Sequence, residues 1–304
     1  MAAFTASAPL NIYAAQSPWL HRYAVLVAVC TLFLVVAGAS VTSNDAGLSV
    51  PDWPLSFGKV MPEMKGGVFY EHGHRMVATM VGMLVIGLVV WLWRAEPRRW
   101  LCWLGTAALG AVILQGLLGG LTVLLKLPKP VSIAHACLAQ LFFSTTVAIA
   151  VFTSPAWHRR IERVRDSGSP SARSLAVALP LFLLAQLALG AAHRHKVMGI
   201  VPHMAGAMIV TLVVLAAAVV VLQQYPDHAA LKRAAKSLMH ITLLQVVLGS
   251  AAYVTRIMTA DAGQPSPWMV AFTVAHVAVG ALTMAAAVVF AIQVFRHVEE
   301  PAIR

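Results

Sequence analysis

Charged residues and cysteines are both scarce in this sequence. Charged side chains make up 11% of the 304 residues, whereas a soluble globular protein carries about 25%. The three cysteines, Cys30, Cys102 and Cys137, lie inside apolar runs, and none lies in a connecting loop. The sequence therefore predicts neither a soluble domain nor a disulfide framework nor a thiolate metal cluster.

Long hydrophobic stretches are abundant instead. Hydrophobic residues form 60% of the chain, and the mean hydropathy is +0.79. A membrane-spanning helix needs about 20 predominantly apolar residues. Eight stretches of suitable length cover residues 22–41, 74–93, 100–125, 131–153, 174–193, 202–224, 235–256 and 268–295. We therefore expect an all-α membrane protein with eight transmembrane helices.

The basic residues predict how the chain is oriented in the membrane. They lie in short connections between apolar stretches, so the net charge of +11 indicates topology rather than a nucleic-acid partner. Fourteen of the 22 basic residues lie at the termini and in or beside segments 94–99, 154–173 and 225–234, against eight on the other side. The positive-inside rule then places both termini in the cytoplasm. The expected location is a bacterial-type inner (cell) membrane. Residues 1–20 contain no Lys or Arg, so no removable signal peptide is predicted.

The two halves of the chain resemble each other. A glutamine is followed four residues later by a glycine in the third, fifth and seventh predicted helices, as Gln115–Gly119, Gln186–Gly190 and Gln245–Gly249. A small residue and an amide on one helix face favour close helix packing, and the alternative is that they line a cofactor cavity. We expect two repeated four-helix bundles, residues 1–153 and 174–304, joined by a cytoplasmic junction at 154–173.

Ionisable residues are concentrated where the long polar loop 42–70 meets the second apolar stretch. Glu71, His72, His74 and Arg75 all lie there, and ionisable groups at a membrane edge indicate a functional site. Glu71 and His74 are three residues apart and share a helix face. His72 and His74 are two apart and point in different directions. Glu71 and His74 are therefore the predicted functional pair.

Four of the 12 histidines lie near the outer ends of the even-numbered predicted helices. They are His74, His135, His203 and His276. Neutral imidazole binds zinc, copper and haem iron, but a structural zinc site takes four ligands, usually including cysteine. Helix bundles hold haem between facing histidines, so the pattern predicts two haem sites, one in each half.

Two arginines at the outer edge are candidate contacts for haem propionates, which guanidinium groups bind well. These are Arg75 and Arg194; the alternative is that they extend from the membrane to its interface. His193 and His195, in the same outer connection as Arg194, are predicted at the surface. His240 is predicted to be a polar packing residue.

At the level of motifs, the chain resembles the haem A synthases. The resemblance lies in residues 38–58, in the pattern Glu71-x-x-His74-Arg75, and in the single histidine on each even-numbered helix, and it covers nearly the whole chain. It implies an eight-helix enzyme that oxidises a methyl group of haem O to a formyl group, giving haem A for cytochrome oxidase. It further implies a resident haem b on His203 and His276.

The same resemblance assigns the other half of the chain to the substrate. His74 and His135 would bind the substrate haem, with Glu71 beside it as the catalytic carboxylate. The implied partners are haem O, molecular oxygen or water, membrane lipid, an electron donor that the sequence does not identify, and haem O synthase. Many bacterial members carry a cysteine pair in the first outer loop, and loop 42–70 has none.

Two other functions fit a protein with four such histidines. One is a di-haem b electron carrier between a quinone and an outer acceptor, and the other is a protein that only binds and delivers haem. The two halves differ, however, because Ile200 stands three residues before His203, where Glu71 precedes His74. This asymmetry favours an enzyme with one cofactor site and one reaction site. Loop 42–70, with Asp52 and Trp53, is expected to cover the reaction-side haem or to form a polar cap.

Overall fold

The computed structural model describes residues 18–159, 161, 163–166 and 168–299. Its eight α-helices are α1 Pro18–Ser43, α2 Gly67–Ala95, α3 Arg99–Leu124, α4 Lys129–Phe152, α5 Ala172–Arg194, α6 Val201–Gln224, α7 Ala229–Met258 and α8 Pro267–His297. All eight are long and apolar enough to cross a membrane. The prediction of an all-α membrane protein with eight spans is confirmed. Most of the segment 1–20, and also Arg160 and Arg304, lie outside the described residues.

Helix α2 begins earlier than the sequence predicted. The predicted loop 42–70 is shorter, and the segment between α1 and α2, residues 44–66, is called the cap loop below. Glu71 and His72 made residues 67–73 look like a loop, because polar side chains interrupt the apolar pattern. In the structure both side chains are buried within the helix.

Proline marks the first turn of three of the four helices that carry the predicted histidines. It occupies one of the first two positions of α4, α6 and α8, where a missing backbone N–H costs nothing because that donor has no partner within the helix. These are the helices that carry His135, His203 and His276. Each of these histidines therefore follows a fixed helix start by a few residues.

Helix contacts close each half into a four-helix bundle. In the first half α1 packs on α2 and α4, and α3 packs on α2 and α4; the second half repeats this with α5 to α8. The halves meet through α1 with α8, α4 with α5, and α4 with α8. If the halves are exchanged, so that α1 takes the place of α5 and α4 that of α8, the α1–α8 contact becomes the α5–α4 contact. The contact between α4 and α8 stays the same. The contacts therefore have the pattern of a twofold axis between α4 and α8.

Each bundle has its own apolar core at the end away from the four histidines. In the first half the core includes Leu88, Leu92, Leu101, Phe142 and Ile149, and in the second it includes Leu179, Val214, Leu231, Leu238 and Phe290. A smaller cluster of Phe143, Ala281 and Ala285 joins the halves. The histidine-bearing ends lie beyond these cores.

The junction between the halves is more ordered than a plain connection. It contains a short 3₁₀ helix, Pro155–His158, and a strand, β1 Val164–Arg165, that pairs in parallel with β2 Val298–Glu299 after α8. Arg296 of α8 donates hydrogen bonds to the carbonyls of residues 156, 157 and 159. The junction is therefore fixed to the end of the last helix.

Candidate functional site

Each of the four predicted histidines lies with its imidazole against a glycine of the preceding helix. The pairs are Gly38–His74, Gly119–His135, Gly190–His203 and Gly249–His276. A β-carbon added to Gly249 would lie 2.7 Å from Cε1 of His276, and one on Gly190 would lie 2.9 Å from Cε1 of His203. Glycine is required there because any larger residue would displace the ring. The sequence showed three of these glycines, Gly119, Gly190 and Gly249, as repeat positions, but it did not indicate that Gly38 faces a histidine.

Glutamine joins glycine in three of the four pairs, one helical turn earlier. The amide nitrogen of Gln115 donates to the backbone carbonyl of His135 at 2.9 Å. That of Gln186 donates to the carbonyl of His203, also at 2.9 Å, and lies 3.0 Å from Nδ1 of the same histidine. A half-turn of the amide exchanges its nitrogen and oxygen, and the oxygen could then accept a hydrogen bond from Nδ1–H.

The second half of the chain brings His203 and His276 together. Their ring centroids are 6.3 Å apart and their planes are nearly perpendicular, at 87°. Nδ1 of His276 lies 3.2 Å from the backbone carbonyl of Gln245. A metal lies about 2 Å from a ligating imidazole nitrogen, hence roughly 3 Å from the ring centroid. Two imidazoles on opposite sides of one metal would have this separation, so the pair fits an axially ligated iron.

The histidine pair lies outside the fully buried parts of its helices. Buried side chains of α6, α7 and α8 are confined to residues 210–221, 231–242 and 281–297. His203, Gly249 and His276 all lie outside those ranges. The ends of these helices that carry His203 and His276 are therefore more exposed than the apolar core.

The first half brings His74 and His135 within electrostatic range of each other. Nδ1 of each ring is buried and has no hydrogen-bond partner among the described residues, although the Gln115 carbonyl acts electrostatically on the His135 ring. Within the described residues, no group of three or more His, Cys, Asp or Glu side chains could hold a metal ion. The arrangement therefore does not fit a closed four-ligand zinc site.

Glu71 connects α2 to the cap loop. The side chain belongs to a residue only 4% exposed; its Oε2 accepts a hydrogen bond from the Val50 amide at 2.9 Å, and Oε1 pairs with Nη2 of Arg75 at 2.6 Å. Nη1 of Arg75 donates to the carbonyls of Asp52 and Leu55, both at 2.8 Å. Both oxygens of the carboxylate are thus engaged by the protein.

Two further contacts hold the cap loop over the first bundle. Nδ1 of His72 lies 2.8 Å from the Ser56 hydroxyl, and both groups are buried. The indole of Trp53 lies against Gly120 of α3, where an added β-carbon would come within 2.7 Å of it. Because the adjacent Gly119 faces His135, the cap loop covers the mouth of the bundle that holds His74 and His135.

Asp52 organises the turn at the tip of the cap loop. Its carboxylate accepts hydrogen bonds from the backbone amides of Phe57 at 2.7 Å and Gly58 at 2.8 Å. These two residues have positive φ values of 54° and 68°, a conformation that costs energy for phenylalanine. The hydrogen bond from Gly58 is the main cause that lowers the pKa of Asp52.

The outer arginines and histidines have protein neighbours of their own. Arg194 donates to the carbonyl of Thr42 at the end of α1, and Arg75 is engaged as described above. His193 and His195 are half-buried, whereas the sequence predicted a surface position. Arg194 and Thr42 are 152 residues apart, so no local pattern in the sequence could have indicated their contact.

The fold and these side chains define a class of protein. It is a polytopic membrane protein of two four-helix bundles, each with a pair of neighbouring, glycine-backed histidines near one membrane face. The model of the COX15-CtaA family of cytochrome oxidase assembly proteins matches residues 21–67 and 61–294. The chain belongs to this family.

Individual relatives carry a more specific name. A heme A synthase of Symbiobacterium thermophilum is 32% identical over 171 residues, which cover 54% of this chain and 55% of the relative. A heme A synthase of Shouchella clausii is 32% identical over 137 residues, covering 43% and 44%. One of Rhizorhabdus wittichii is 27% identical over 209 residues, covering 57% and 58%. Each of these matches spans about half the length of the relative.

Proposed function

We propose that this protein is a haem A synthase, an oxidoreductase that converts a methyl group of haem O into the formyl group of haem A for cytochrome oxidase. The observation that carries the proposal is the unequal pair of histidine sites in a member of a cytochrome oxidase assembly family. One pair has hydrogen-bond partners on its rings, and the other lies under a cap loop beside a buried carboxylate. Similarity to proteins named heme A synthase supports the same function.

The second bundle, in this proposal, holds a resident haem b between His203 and His276. A metal-ligating histidine usually donates its second ring N–H to a neighbouring acceptor, which fixes the ring and strengthens the ligand. Gln186 and the Gln245 carbonyl stand at Nδ1 of these two histidines. When bound, haem b supplies one-electron redox chemistry beside the reaction site.

The first bundle holds the substrate haem O between His74 and His135. The cap loop limits water at this site through Trp53, which lies against α3 beside the residue that faces His135. Oxidation of a methyl to a formyl group removes electrons and protons and adds oxygen, so the site needs molecular oxygen or water, an electron acceptor or donor, and a route for protons.

Glu71 has two roles in this scheme. Its carboxylate fixes the cap loop through Val50, and its charge is available to handle protons near His74. Arg75 and Arg194 would bind propionates of the two haems, and each now donates a hydrogen bond to a backbone carbonyl. Arginine binds carboxylates strongly enough for such an exchange.

The cellular setting follows from the sequence pattern. We infer an inner-membrane protein with cytoplasmic termini and with both histidine pairs near the outer face. The 14-to-8 distribution of basic residues supports this orientation. Haem O is apolar and lies in the membrane, so haem O synthase is a suitable neighbour that delivers it directly.

Pigment analysis tests the proposed function against the di-haem carrier. Protein purified from cells that make haem O should contain about one haem b per chain together with variable haem O or haem A, all separable by chromatography. Two equivalents of haem b with no conversion of added haem O would contradict the synthase and support the carrier. Haem O that binds and leaves unchanged would instead support a delivery protein.

A further inference from the structure

The tip of the cap loop, residues 55–61, exposes several apolar side chains close together. Ser56 is the buried residue of this tip segment, and the rest of the segment is exposed. The apolar residues among them are Leu55, Phe57, Val60 and Met61, of which Val60 is 81% exposed. Apolar side chains scattered singly over a surface need no explanation, but a contiguous group of this kind marks a surface that binds a protein or a membrane.

The backbone of the tip segment keeps Phe57 exposed at an energetic cost. Ser56 and Lys59 exchange two backbone hydrogen bonds, at 3.0 and 3.1 Å, and the two residues between them both have positive φ. Asparagine followed by glycine suits such a turn, whereas phenylalanine is strained there. Strained positions that persist in a folded protein cluster at functional sites. The strain at Phe57 gains little packing within the protein, because the ring is half exposed.

Contacts with α2 place the tip segment below the start of that helix. The Ser56 hydroxyl lies 2.8 Å from Nδ1 of His72, and Nη1 of Arg75 donates to the Leu55 carbonyl at 2.8 Å. Helix α2 begins at Gly67, so His72 lies about 7 Å further along the helix axis at 1.5 Å per residue. The tip segment therefore folds back beside α2, toward the membrane span.

The tip segment also lies on the lipid-facing side of α2. At about 100° per residue, four side chains lie within about 40° of His72 around the helix axis, namely Met76, Met83, Ile86 and Val90. All four are exposed, as expected for apolar side chains of a membrane-spanning helix that face lipid. His72 on the same stripe is buried, because the tip segment covers it through Ser56. The tip segment thus continues the lipid-facing surface of α2 outward.

The depth of the tip segment corresponds to the boundary between lipid headgroups and acyl chains. Tyr70 lies two residues before His72, and its ring packs edge-on against the exposed Phe69 with the centroids 5.5 Å apart. Tyrosine is enriched at this boundary in membrane proteins. Lys59 adds an exposed cation to the tip segment, and segments that lie in the boundary region combine basic with apolar side chains.

We propose that the tip segment is a lipid-binding anchor, which inserts Phe57, Val60 and Met61 into the boundary region of the bilayer at the membrane face that holds the histidine pairs. Lys59 then reaches lipid phosphates, since a lysine side chain buries its apolar stem and keeps its charge at the polar surface. Burial of the Phe57 ring in lipid offsets the strain of its backbone. The proposal concerns lipid contact alone and does not depend on the haem chemistry.

The anchor gives the cap loop an attachment outside the protein. Within the protein, Glu71 and Arg75 hold the loop on α2. Trp53, two residues before the tip segment, lies against Gly120 of α3. Lipid that holds the tip segment therefore helps to keep the indole of Trp53 in place, and with it the cover over the first histidine pair.

Photolabelling of the unmodified protein tests the anchor directly. The protein is reconstituted in vesicles of phosphatidylethanolamine and phosphatidylglycerol that contain a phospholipid with a diazirine in its acyl chain. After illumination, mass spectrometry should locate lipid adducts on residues 55–61 and on Met83, the lipid-facing reference. Glu63 and Lys65, an exposed ion pair of the same loop, should carry none. Adducts on Met83 without adducts on residues 55–61 would overturn the proposal.

A double variant that keeps the turn and removes the apolar tip isolates the anchor. Phe57→Asn with Val60→Asn places asparagine before Gly58, the order that this turn favours. The amides at positions 57 and 58 should therefore stay protected from hydrogen exchange, while lipid adducts on residues 55–61 should fall several-fold. Leu48→Asn removes an exposed apolar side chain elsewhere in the cap loop and should leave those adducts unchanged. Equal adduct yields in the double variant and in Leu48→Asn would contradict the anchor.

A second protein molecule is the other partner that an apolar surface can bind. Chemical cross-linking in the same vesicles distinguishes it from lipid, because Lys59 of one molecule would then be joined to another copy of the chain. Cross-links between copies at Lys59, together with unlabelled residues 55–61, would show a protein contact and overturn the proposal. Lipid adducts on residues 55–61 without such cross-links would support it.

Discussion

The carboxylate of Glu71 accepts a hydrogen bond from the backbone amide of Val50, 21 residues earlier in the chain, at 2.9 Å. The same carboxylate pairs with Arg75, whose guanidinium reaches two further cap-loop carbonyls. The carboxylate that the sequence predicted to be catalytic is thus also the point where the cap loop is attached to α2. Any effect of its removal has to be divided between chemistry and attachment.

Glu71→Gln should separate these contributions. The amide still accepts from Val50 but loses the charge that pairs with Arg75, so the resident haem should stay and haem O should still enter. We expect haem A formation to fall strongly, measured as the ratio of haem O to haem A by chromatography. Glu63→Gln is the control, since that exposed carboxylate pairs only with Lys65.

Limited proteolysis of the cap loop in the same Glu71 variant identifies the cause. Faster cleavage together with normal haem A formation would show that Glu71 only attaches the loop. Unchanged cleavage with low haem A formation would support a role in proton handling. Normal behaviour in both assays would contradict both roles.

His203→Ala or His276→Ala should remove the resident haem b. If these two histidines hold the haem, loss of either one leaves the iron short of a ligand, so the low-spin spectrum should disappear. His240→Ala is a suitable control because that side chain is exposed on α7. Retention of full low-spin haem b in both variants would mean that the haem has other ligands.

Gly249→Ala tests whether the glycine positions the ring of His276. The new methyl group would lie 2.7 Å from Cε1, so the ring must rotate away from its preferred conformation, at a cost of about 0.5–1.5 kcal/mol. Haem b affinity should fall about two- to tenfold, as measured by titration with haemin. Gly116→Ala, where nothing lies within 4 Å of the new carbon, should have no effect.

Backbone amides of the cap loop should lose protection from hydrogen exchange at low pH, when Asp52 becomes protonated. Its hydrogen bonds lower the pKa of the folded carboxyl, so their contribution is complete above the unfolded pKa of about 3.9 and is lost as the pH falls through the folded value. Hydrogen exchange at the amides of Phe57 and Gly58 should then become faster in the unmodified protein. Asp52→Asn is the comparison, because these amides should already be less protected in that variant at pH 7. Asp261→Asn, an exposed residue in the α7–α8 connection, serves as the control and should match the unmodified protein.

Membrane orientation is open to a direct test with reporters. A reporter that works only in the cytoplasm should be active when it is fused after Arg304. Near Gly66, only a reporter that works outside the cytoplasm should be active. The expectation depends on the distribution of basic residues. Activity on the opposite side at either position would place the histidine pairs at the cytoplasmic face.

The spans were predictable because each is a long apolar run, and the sequence repeat indicated two similar halves. The start of α2 was not predictable, since Glu71 and His72 are polar residues whose partners, Val50 and Ser56, are supplied by a distant loop. The contact of Trp53 with Gly120 joins residues 67 positions apart, so no local sequence pattern indicates it.

The repeated contacts between the halves also bear on how the two histidine sites can differ. The α1–α8 contact is repeated as α5–α4, and α4 meets its own counterpart α8. A surface that binds a second copy of itself in this way is characteristic of symmetric homodimers. The two halves thus contact each other as the subunits of a symmetric dimer do, and the ordered junction is the covalent link between them. Because one chain encodes both halves separately, the two histidine sites need not be alike, and Leu34 stands in one of them where the other has a glutamine.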